Sequence, residues 1–330
     1  MDEQHAPQGS PAALQLSVVI PVYNEKENLE PLFEALREAL RDHRYELIFV
    51  DDGSDDGSLD VLCQLQERDQ AHVVVVELRR NFGQTAALEA GIDQARGEII
   101  ALIDADLQND PADIPALVEK IEEGYDVVSG WRVNRRDRFL TRVLPSRMAN
   151  WLISRVTGVR LHDYGCTLKA YRREVLQGFR LYGEMHRFIP AYANWVGARI
   201  AEIPVRHHER RFGKAKYGLE RTLKVVLDLF TVKFLMSFSN KPIYLFGTAG
   251  VALDAISVLL LIALILRRVL YDEHMIRSPL LLLSVMLFIL GMQSIMLGLI
   301  AEMQVRTYHE SQAKPTYVIR QIHRASQETS

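Results

Sequence analysis

Two long apolar runs near the end of the chain constrain its fold more than any other feature. Residues 243–266 form a run of 24 with one charge, Asp254, and residues 280–301 form an uncharged run of 22. At about 1.5 Å per residue, a helix of either length crosses the roughly 30 Å hydrocarbon core of a bilayer. Buried helices of a soluble domain are the alternative. We predict two transmembrane helices, with Asp254 protonated or hydrogen-bonded at a helix–helix contact because an intramembrane acid is costly.

The basic residues around these runs predict their orientation. Cytoplasmic flanks of membrane helices carry an excess of lysine and arginine. Eight basic residues flank the outer ends of the two runs, against three in the loop between them. Both termini are therefore expected in the cytoplasm.

The N-terminal half alternates short β-branched runs with segments of helical apolar spacing. Strands are predicted at residues 16–22, 45–51, 72–78, 98–104 and 126–130, and helices at 26–42, 58–69, 85–95 and 111–123. The strands are continuously apolar, which is typical of a parallel sheet covered on both faces. This pattern predicts an α/β domain with its ligand site beyond the carboxyl ends of the strands.

Composition and missing motifs exclude several classes of protein. The chain has 39 Lys and Arg against 42 Asp and Glu, which argues against a nucleic-acid-binding protein. Its two cysteines, Cys63 and Cys166, cannot form a disulfide framework and suit a reducing compartment. The sequence has no GxGxxG after the first strand and no GxxxxGK[ST], which argues against a dinucleotide site and a P-loop.

Acidic residues follow two of the predicted strands, at 51–52 and at 104–106. Because side chains alternate along an extended chain, Asp104 and Asp106 lie on the same side of it. Two carboxylates so placed suit a hard divalent cation shared with a phosphate, and Gln108 can add a carbonyl oxygen. Two solvated loop acids are the alternative. We predict a metal–diphosphate site formed by Asp104, Asp106 and Gln108.

Four segments resemble those of a known enzyme family. They read SVVIPVYNE, VDDGSDDGS, RRNFGQTAALEAGI and DADLQNDP. In order and spacing they resemble the family 2 glycosyltransferases over residues 16 to about 240. The two C-terminal runs are similar to those of polyisoprenyl-phosphate glycosyltransferases, and residues 163–173 most resemble the undecaprenyl-phosphate 4-deoxy-4-formamido-L-arabinose transferase branch.

The resemblance implies a fold and a domain organisation. The fold is α/β: a GT-A nucleotide-sugar-binding domain with a mostly parallel sheet, followed by interfacial helices and two transmembrane helices. The expected order is a flexible N-terminus (1–14), a cytoplasmic catalytic domain (15–215), interfacial amphipathic helices (216–241), two transmembrane helices (242–302) and a cytoplasmic tail (303–330). The spacing at 217–238 also suits an ordinary amphipathic helix packed on the domain.

The resemblance also implies a set of donor-binding residues: Pro21, Tyr23, Glu25, Val50, Asp52, Asp104, Ala105, Asp106, Arg210 and Lys216. Tyr23 would stack on the base and Asp52 would accept hydrogen bonds from it, while strand-end packing is the alternative for Pro21 and Val50. Arg210 and Lys216 would clamp the donor diphosphate, although Ala215 replaces the usual serine of that segment. A non-specific patch at the membrane surface is the alternative.

Asp106, Asp163 and Arg132 are the expected catalytic residues. Arg132 and Arg147 match positions that would bind the phosphate of the donor or the lipid, while a solvated charge run is the alternative. Asp163 is either a base or the partner that orients an arginine. A phosphomonoester, with a second pKa of about 6, is largely anionic at neutral pH and needs little help from a base.

The implied reaction moves a sugar, with inversion, from a nucleotide sugar to a polyprenyl phosphate. UDP is the expected nucleotide and Mg²⁺ or Mn²⁺ the expected cofactor, while glucose, N-acetylhexosamine, mannose and formamido-arabinose all remain open as the sugar. The expected location is the inner membrane. The expected assembly is a homo-oligomer, with a tetramer as one option. A processive polysaccharide synthase and an inactive membrane scaffold are the alternatives; residues 177–181 lack the tryptophan of the synthase Gln-x-x-Arg-Trp signature.

Overall fold

The computed structural model describes residues 14–133, 153–155, 157–176, 187–209, 243–271, 278–311 and 317–324. The chain divides into two compact units, Met1–Val232 with Pro315–Ser330, and Lys233–Lys314. The interfacial helix predicted at 217–238 lies outside the described residues, as does most of the flexible N-terminus predicted at 1–14.

The described part of the first unit contains one eight-stranded sheet. Its strands are β1 (Leu16–Val22), β2 (Tyr45–Asp51), β3 (Val73–Leu78), β4 (Ile99–Leu102), β5 (Val127–Arg132), β6 (Lys169–Arg172), β7 (Ile200–Val205) and β8 (Ile319–His323). Their spatial order is β7-β5-β6-β4-β1-β2-β3-β8. Pairs β1/β2, β1/β4, β2/β3 and β5/β7 are parallel, whereas β6 and β8 run antiparallel to their neighbours. The prediction of a mostly parallel sheet is confirmed.

Helices alternate with these strands in the first unit. They are α1 (Lys26–Leu40), α2 (Ser58–Arg68), α3 (Gln84–Gln94), α4 (Ile114–Glu122), α5 (Arg173–Leu176) and α6 (Ile189–Trp195), with a 3-10 turn at Pro111–Asp113. The spacing of Leu29, Phe33, Leu36 and Leu40 puts one face of α1 into the core, where these side chains have no exposed surface. Burying each such side chain contributes about 1.5–3 kcal/mol.

The sequence analysis did not predict β6, β7, α5, α6 or β8. Of these, only β8 comes from the expected C-terminal tail. Residues 303–330 were expected to form a tail, but Ile319–His323 pairs antiparallel with β3 at the edge of the sheet. The segment is short and polar, and its side chains are mostly exposed. Its pairing comes from the backbone of a strand far earlier in the chain, so no local pattern of apolar residues marks it.

The second unit contains α7 (Ile243–Tyr271) and α8 (Pro279–Ser311). Both are long and apolar enough to cross a membrane, over Leu245–Leu270 and Pro279–Ala301. Only 17% and 11% of their most apolar windows are buried, whereas the core helix of a soluble domain is mostly buried. Exposed apolar surface of this extent fits lipid, and the chain is a membrane protein.

Asp254 lies where α7 and α8 touch. A Cβ atom added to Gly291 would lie 2.1 Å from Asp254 Oδ1, so the carboxyl fills the space that this glycine leaves. Oδ1 is buried and has no hydrogen-bond partner within the described residues. The predicted position at a helix–helix contact is therefore observed. That Asp254 is protonated or hydrogen-bonded, within one subunit or between subunits, stays a prediction. Ser257 and Ser294 donate across the contact, to the carbonyls of Ser284 and Phe246.

Candidate active site

The functional residues predicted from the sequence come together at one edge of the sheet. Strands β1, β2 and β4 are parallel neighbours, so their carboxyl ends lie side by side. The segments that follow them hold Tyr23, Asp52 and Asp104–Asp106. The sheet thus brings together acids that are about 50 residues apart in the chain.

Asp52 is held by the loop between β3 and α3. Its carboxylate accepts hydrogen bonds from the backbone amides of Phe82, at 2.7 Å, and Gly83, at 2.9 Å. Burial raises the pKa of Asp52, and these two amide hydrogen bonds partly oppose that effect. Residues 79–83, which we call the clamp loop, therefore fix the position of this carboxylate.

The loops after β1 and β2 are tied to each other. The Asn24 amide nitrogen donates to Ser54 Oγ at 3.0 Å, and the Asn24 side chain exchanges hydrogen bonds with Asp55. Asn24 has φ of 54°, a left-handed conformation that asparagine tolerates better than most residues. Tyr23, just before it, is 36% exposed.

The other predicted nucleoside residues differ in exposure. Pro21 is half-buried at the end of β1, whereas Val50 has no exposed surface and packs beside Gly91 of α3. The Val50 side chain thus belongs to the core, which leaves only its backbone for a ligand. The Glu25 carboxylate accepts a hydrogen bond from the side-chain amide of Asn28, with 2.6 Å between Nδ2 and Oε2.

Both carboxyl oxygens of Asp104 are hydrogen-bonded to neighbouring side chains. Its Oδ1 accepts a hydrogen bond from Gln84 Nε2 at 2.7 Å, and its Oδ2 accepts one from the Thr167 hydroxyl. Burial and the nearby charge of Asp106 raise the pKa of Asp104 to about 6, although Thr167 and Arg132 act in the opposite direction. A group that brings positive charge here would relieve the repulsion between the two carboxylates.

The turn after Asp104 has an unusual backbone. Leu107 has φ of 58°, a left-handed conformation that costs a bulky residue about 1–3 kcal/mol. The turn lets Asp106 Oδ1 accept the Gln108 amide at 3.1 Å. The Gln108 carbonyl in turn accepts the amide of His208, which follows β7. Ala105 and Asp106 are both buried in this turn.

Arg132 and Asp163 form a buried ion pair. Arg132 Nε donates to Asp163 Oδ2 at 2.6 Å, and its Nη2 donates to Oδ1 at 3.0 Å. The two side chains are 13% and 3% exposed, so the pair is largely shielded from water. The Gly165 amide also donates to Asp163 Oδ1. Asp163 therefore fixes the position of the Arg132 guanidinium. The positive charge of Arg132 acts to lower the pKa of Asp104, against the larger effects of burial and of Asp106.

Three contributors to the site were missed from the sequence: Gln84, Thr167 and Lys169. The first two hydrogen-bond to Asp104, and the buried Lys169 ammonium donates to the carbonyls of Tyr164 and Cys166, which shapes the segment that carries Asp163. Gln84 and Thr167 stand within the stretches RRNFGQTAALEAGI and DYGCTLKAYRR, so those stretches were the available signal. Arg147, Arg210 and Lys216 lie outside the described residues, and their roles stay predictions.

Comparisons with known proteins bear on this site. The sequence pattern of the family described as Glycosyl transferase family 2 matches residues 17–179. Dodecaprenyl-phosphate galacturonate synthase from Rhizobium johnstonii is 45% identical over 315 residues, which cover 94% of this chain and 93% of the relative. Undecaprenyl-phosphate 4-deoxy-4-formamido-L-arabinose transferase from Photorhabdus laumondii is 38% identical over 311 residues, which cover 93% of this chain and 94% of the relative.

A solved structure shares the fold of the first unit. Glucosyl-3-phosphoglycerate synthase from Mycobacterium tuberculosis, in complex with Mn²⁺, UDP and phosphoglyceric acid, superimposes with a TM-score of 0.51 at 20% identity. The match covers 70% of this chain and 84% of that protein. At this identity the likeness concerns the fold alone, which is of the GT-A type.

Gly53 allows the clamp loop to approach Asp52. Its φ is +69°, and an added Cβ atom would lie 2.6 Å from the Arg80 carbonyl carbon and 2.7 Å from the Asn81 nitrogen. We predict that Gly53→Ala lowers the free energy of unfolding by roughly 2–4 kcal/mol, from backbone strain plus overpacking. Thermal unfolding in detergent would measure the loss.

Gly57→Ala is the matched control for this prediction. Gly57 also has positive φ, +86°, but an added Cβ atom would meet only side chains, the flexible end of Lys26 at 3.2 Å and Asp60 Oδ2 at 3.7 Å. We expect Gly57→Ala to lower the free energy of unfolding by only about 1–2 kcal/mol, because alanine is strained at positive φ. Equal losses in the two variants would contradict the close approach at Gly53.

Proposed function

The chain belongs to glycosyl transferase family 2, and from this premise we propose that it transfers a sugar from a nucleotide sugar to a polyprenyl phosphate. The observation that carries the proposal is the grouping of Asp52, Asp104, Asp106 and the Arg132–Asp163 pair at one sheet edge. Both relatives described above are named for sugars joined to polyprenyl phosphates, and they match nearly the whole chain. The two apolar helices suit an acceptor that lies in a membrane.

The proposed donor is a UDP-sugar. Asp52 has the fixed carboxylate needed to accept hydrogen bonds from a base, and the exposed ring of Tyr23 offers a stacking surface. Asp104 and Asp106 lie next to this subsite, where the diphosphate would follow the nucleoside. Arg210 and Lys216 are proposed to bind that diphosphate, and Arg147 the lipid phosphate.

The acids at 104–106 fit a divalent cation by the chemistry of their donor atoms. The Asp106 charge raises the Asp104 pKa, so a cation between or beside them would be stabilised. Among the described residues, no three His, Cys, Asp or Glu side chains are grouped to hold a metal ion. Asp106, Asp104 and the side-chain carbonyl of Gln108 would therefore be supplemented by oxygens of the donor and water. Mg²⁺ or Mn²⁺ bound there would neutralise charge on the departing diphosphate.

In the proposed reaction, a lipid phosphate oxygen bonds to the anomeric carbon while the bond from that carbon to the diphosphate oxygen breaks. The nucleoside diphosphate leaves with the bonding electrons, and the anomeric configuration inverts. The attacking phosphate is largely anionic at neutral pH, so it needs little proton removal. Arg132, oriented by Asp163, supplies positive charge beside the reacting phosphates, and most of the acceleration comes from positioning and charge stabilisation.

Asp163 acts in this proposal as a positioning residue, because both its oxygens accept hydrogen bonds from Arg132. We expect Arg132→Ala and Asp163→Asn each to lower kcat/KM about a hundredfold, with the double variant no worse than either, since residues in one ion pair couple strongly. The pH profile of kcat/KM should keep its shape in Asp163→Asn.

Arg68→Ala is the control for these variants, because it removes exposed ion pairs with Glu30 and Glu34. Exposed pairs contribute little, so its kcat/KM should stay within about twofold of the wild type. Additive losses in the double variant, together with a lost basic limb of the pH profile in Asp163→Asn, would instead make Asp163 the catalytic base.

The central test is transfer by the purified full-length protein. It is incubated with undecaprenyl phosphate, MnCl₂ and a panel of radiolabelled UDP-sugars that includes UDP-galacturonate and UDP-formamido-arabinose, and the labelled lipid is extracted. We expect one sugar to enter the lipid, EDTA to abolish transfer, and Asp106→Asn to lower it at least about a hundredfold through loss of a charged ligand.

Asp42→Asn is the matched control, because it removes one negative charge at a side chain that is 87% exposed and outside the candidate site. It should transfer at the wild-type rate. No labelled lipid with any donor would contradict the proposed function, and full turnover in EDTA or in Asp106→Asn would contradict the metal site.

The proposed location is the inner membrane, with the catalytic domain and both termini in the cytoplasm and a homo-oligomer, up to the tetramer, as the assembly. The excess of basic residues outside the two spans supports this orientation. A reporter fused after Ser330 should be active in the cytoplasm, and one inserted near Glu273 should be active on the opposite side. A C-terminal reporter exposed outside the cytoplasm would contradict the two-span topology.

A further inference from the structure

The C-terminal strand β8 contacts the two elements that hold the donor-site acids. It pairs with β3, and the pairing continues past the end of that strand: the Arg79 amide donates to the Val318 carbonyl at 3.0 Å. Arg79 is the first residue of the clamp loop, whose amides at Phe82 and Gly83 hold Asp52. One edge of the clamp loop is thus fixed by the C-terminal segment.

The same segment also holds helix α3. The Tyr317 hydroxyl donates to Asp93 Oδ2 at 2.7 Å, and Arg324 Nη2 donates to the Gln94 carbonyl at 3.1 Å. Asp93 and Gln94 form the last turn of α3, whose first residue, Gln84, donates to Asp104. The C-terminal segment therefore contacts the clamp loop, which holds Asp52, and helix α3, which holds Asp104.

Charge adds a third link. Arg320 Nη1 lies 3.0 Å from Glu77 Oε1, and Glu77 stands opposite Asp51 across the β2–β3 pair. Both acids are buried, so their mutual repulsion is poorly screened. Arg320 offsets part of that repulsion at Asp51, the last residue of β2, which precedes Asp52 in the chain.

Segment 317–324 contributes little to the hydrophobic core. Tyr317 is its one buried side chain among the described residues, while Val318 and Ile322 are 48% and 38% exposed. Its interactions are backbone pairing and polar contacts at a sheet edge, which are typical of regions that open at low free-energy cost. Such a segment can govern the position of a loop without governing whether the domain folds.

We propose that segment 317–324 is a positioning element of the donor site: it holds the clamp loop and α3 so that Asp52 and Asp104 keep the geometry that binds the donor. The identification of that site as a nucleotide site rests on the proposed function. The segment begins six residues after the last residue of α8, so sequence beyond the second membrane helix is then part of the donor site's support rather than a tail.

The test combines hydrogen exchange with nucleotide binding on the full-length protein in detergent. Tyr317→Phe removes the contact with Asp93, Arg320→Ala removes the contact with Glu77, and a third variant deletes residues 317–330. We expect exchange at residues 79–83 to be roughly two- to fivefold faster in each point variant and at least about tenfold faster in the deletion. The Kd for UDP, measured by calorimetry with MnCl₂, should rise by similar factors.

Gln321→Ala is the matched control, because Gln321 is exposed on the same strand and its pairing with Glu77 is through the backbone. Its exchange and its Kd should stay within about twofold of the wild type. Unchanged exchange at 79–83 in both point variants, or a uniform increase over the whole domain in both, would overturn the proposal. A wild-type protein that does not bind UDP would contradict the proposed function instead, and the exchange pattern would still decide whether the segment positions the clamp loop.

Discussion

The hydrogen-bonded carboxylate of Asp104 is the interaction on which the site depends. It stands just after β4 and joins α3, through Gln84, to the segment before β6, through Thr167. A buried carboxylate needs such partners, because leaving an oxygen unpaired away from water costs about 1–3 kcal/mol or more. Its neighbour Asp106 adds a second negative charge, so this part of the sheet edge favours a cation. The metal–diphosphate chemistry that we propose follows from this concentration of charge.

The positive charge of Arg132 lies at the same edge of the sheet and is held in a fixed position. Arg132 could move freely if it were alone, but the bidentate contact with Asp163 fixes its guanidinium, and Lys169 fixes the segment that carries Asp163. A pre-oriented cation stabilises developing charge without the cost of reorganisation during the reaction. Both Asp163 oxygens already accept hydrogen bonds from the arginine, which favours the positioning role that we propose for Asp163 over that of a base.

The C-terminal segment joins the end of the second apolar helix to the edge of the sheet. The chain leaves the sheet, forms the two apolar helices and then returns to add β8 beside β3. The edge of β3 is thereby paired, which also removes a row of unpaired backbone groups that would otherwise invite aggregation. A polar strand can do this because backbone hydrogen bonds, rather than apolar side chains, hold it in place.

Elements with a local sequence pattern could be predicted before the fold was known. Strands β1 and β2 and helix α1 begin where the apolar spacing predicts, and the membrane helices follow from the length of two apolar runs. The positions of Asp52, Asp104 and Asp106 at strand ends also follow, because parallel strands share one carboxyl edge. Tertiary structure alone decided that Gln84 and Thr167 bind Asp104, that Val50 faces the core, and that residues 319–323 join the sheet. These features are contacts between residues distant in the chain, and neither side-chain type nor spacing within a segment records which distant partner the fold will bring to it.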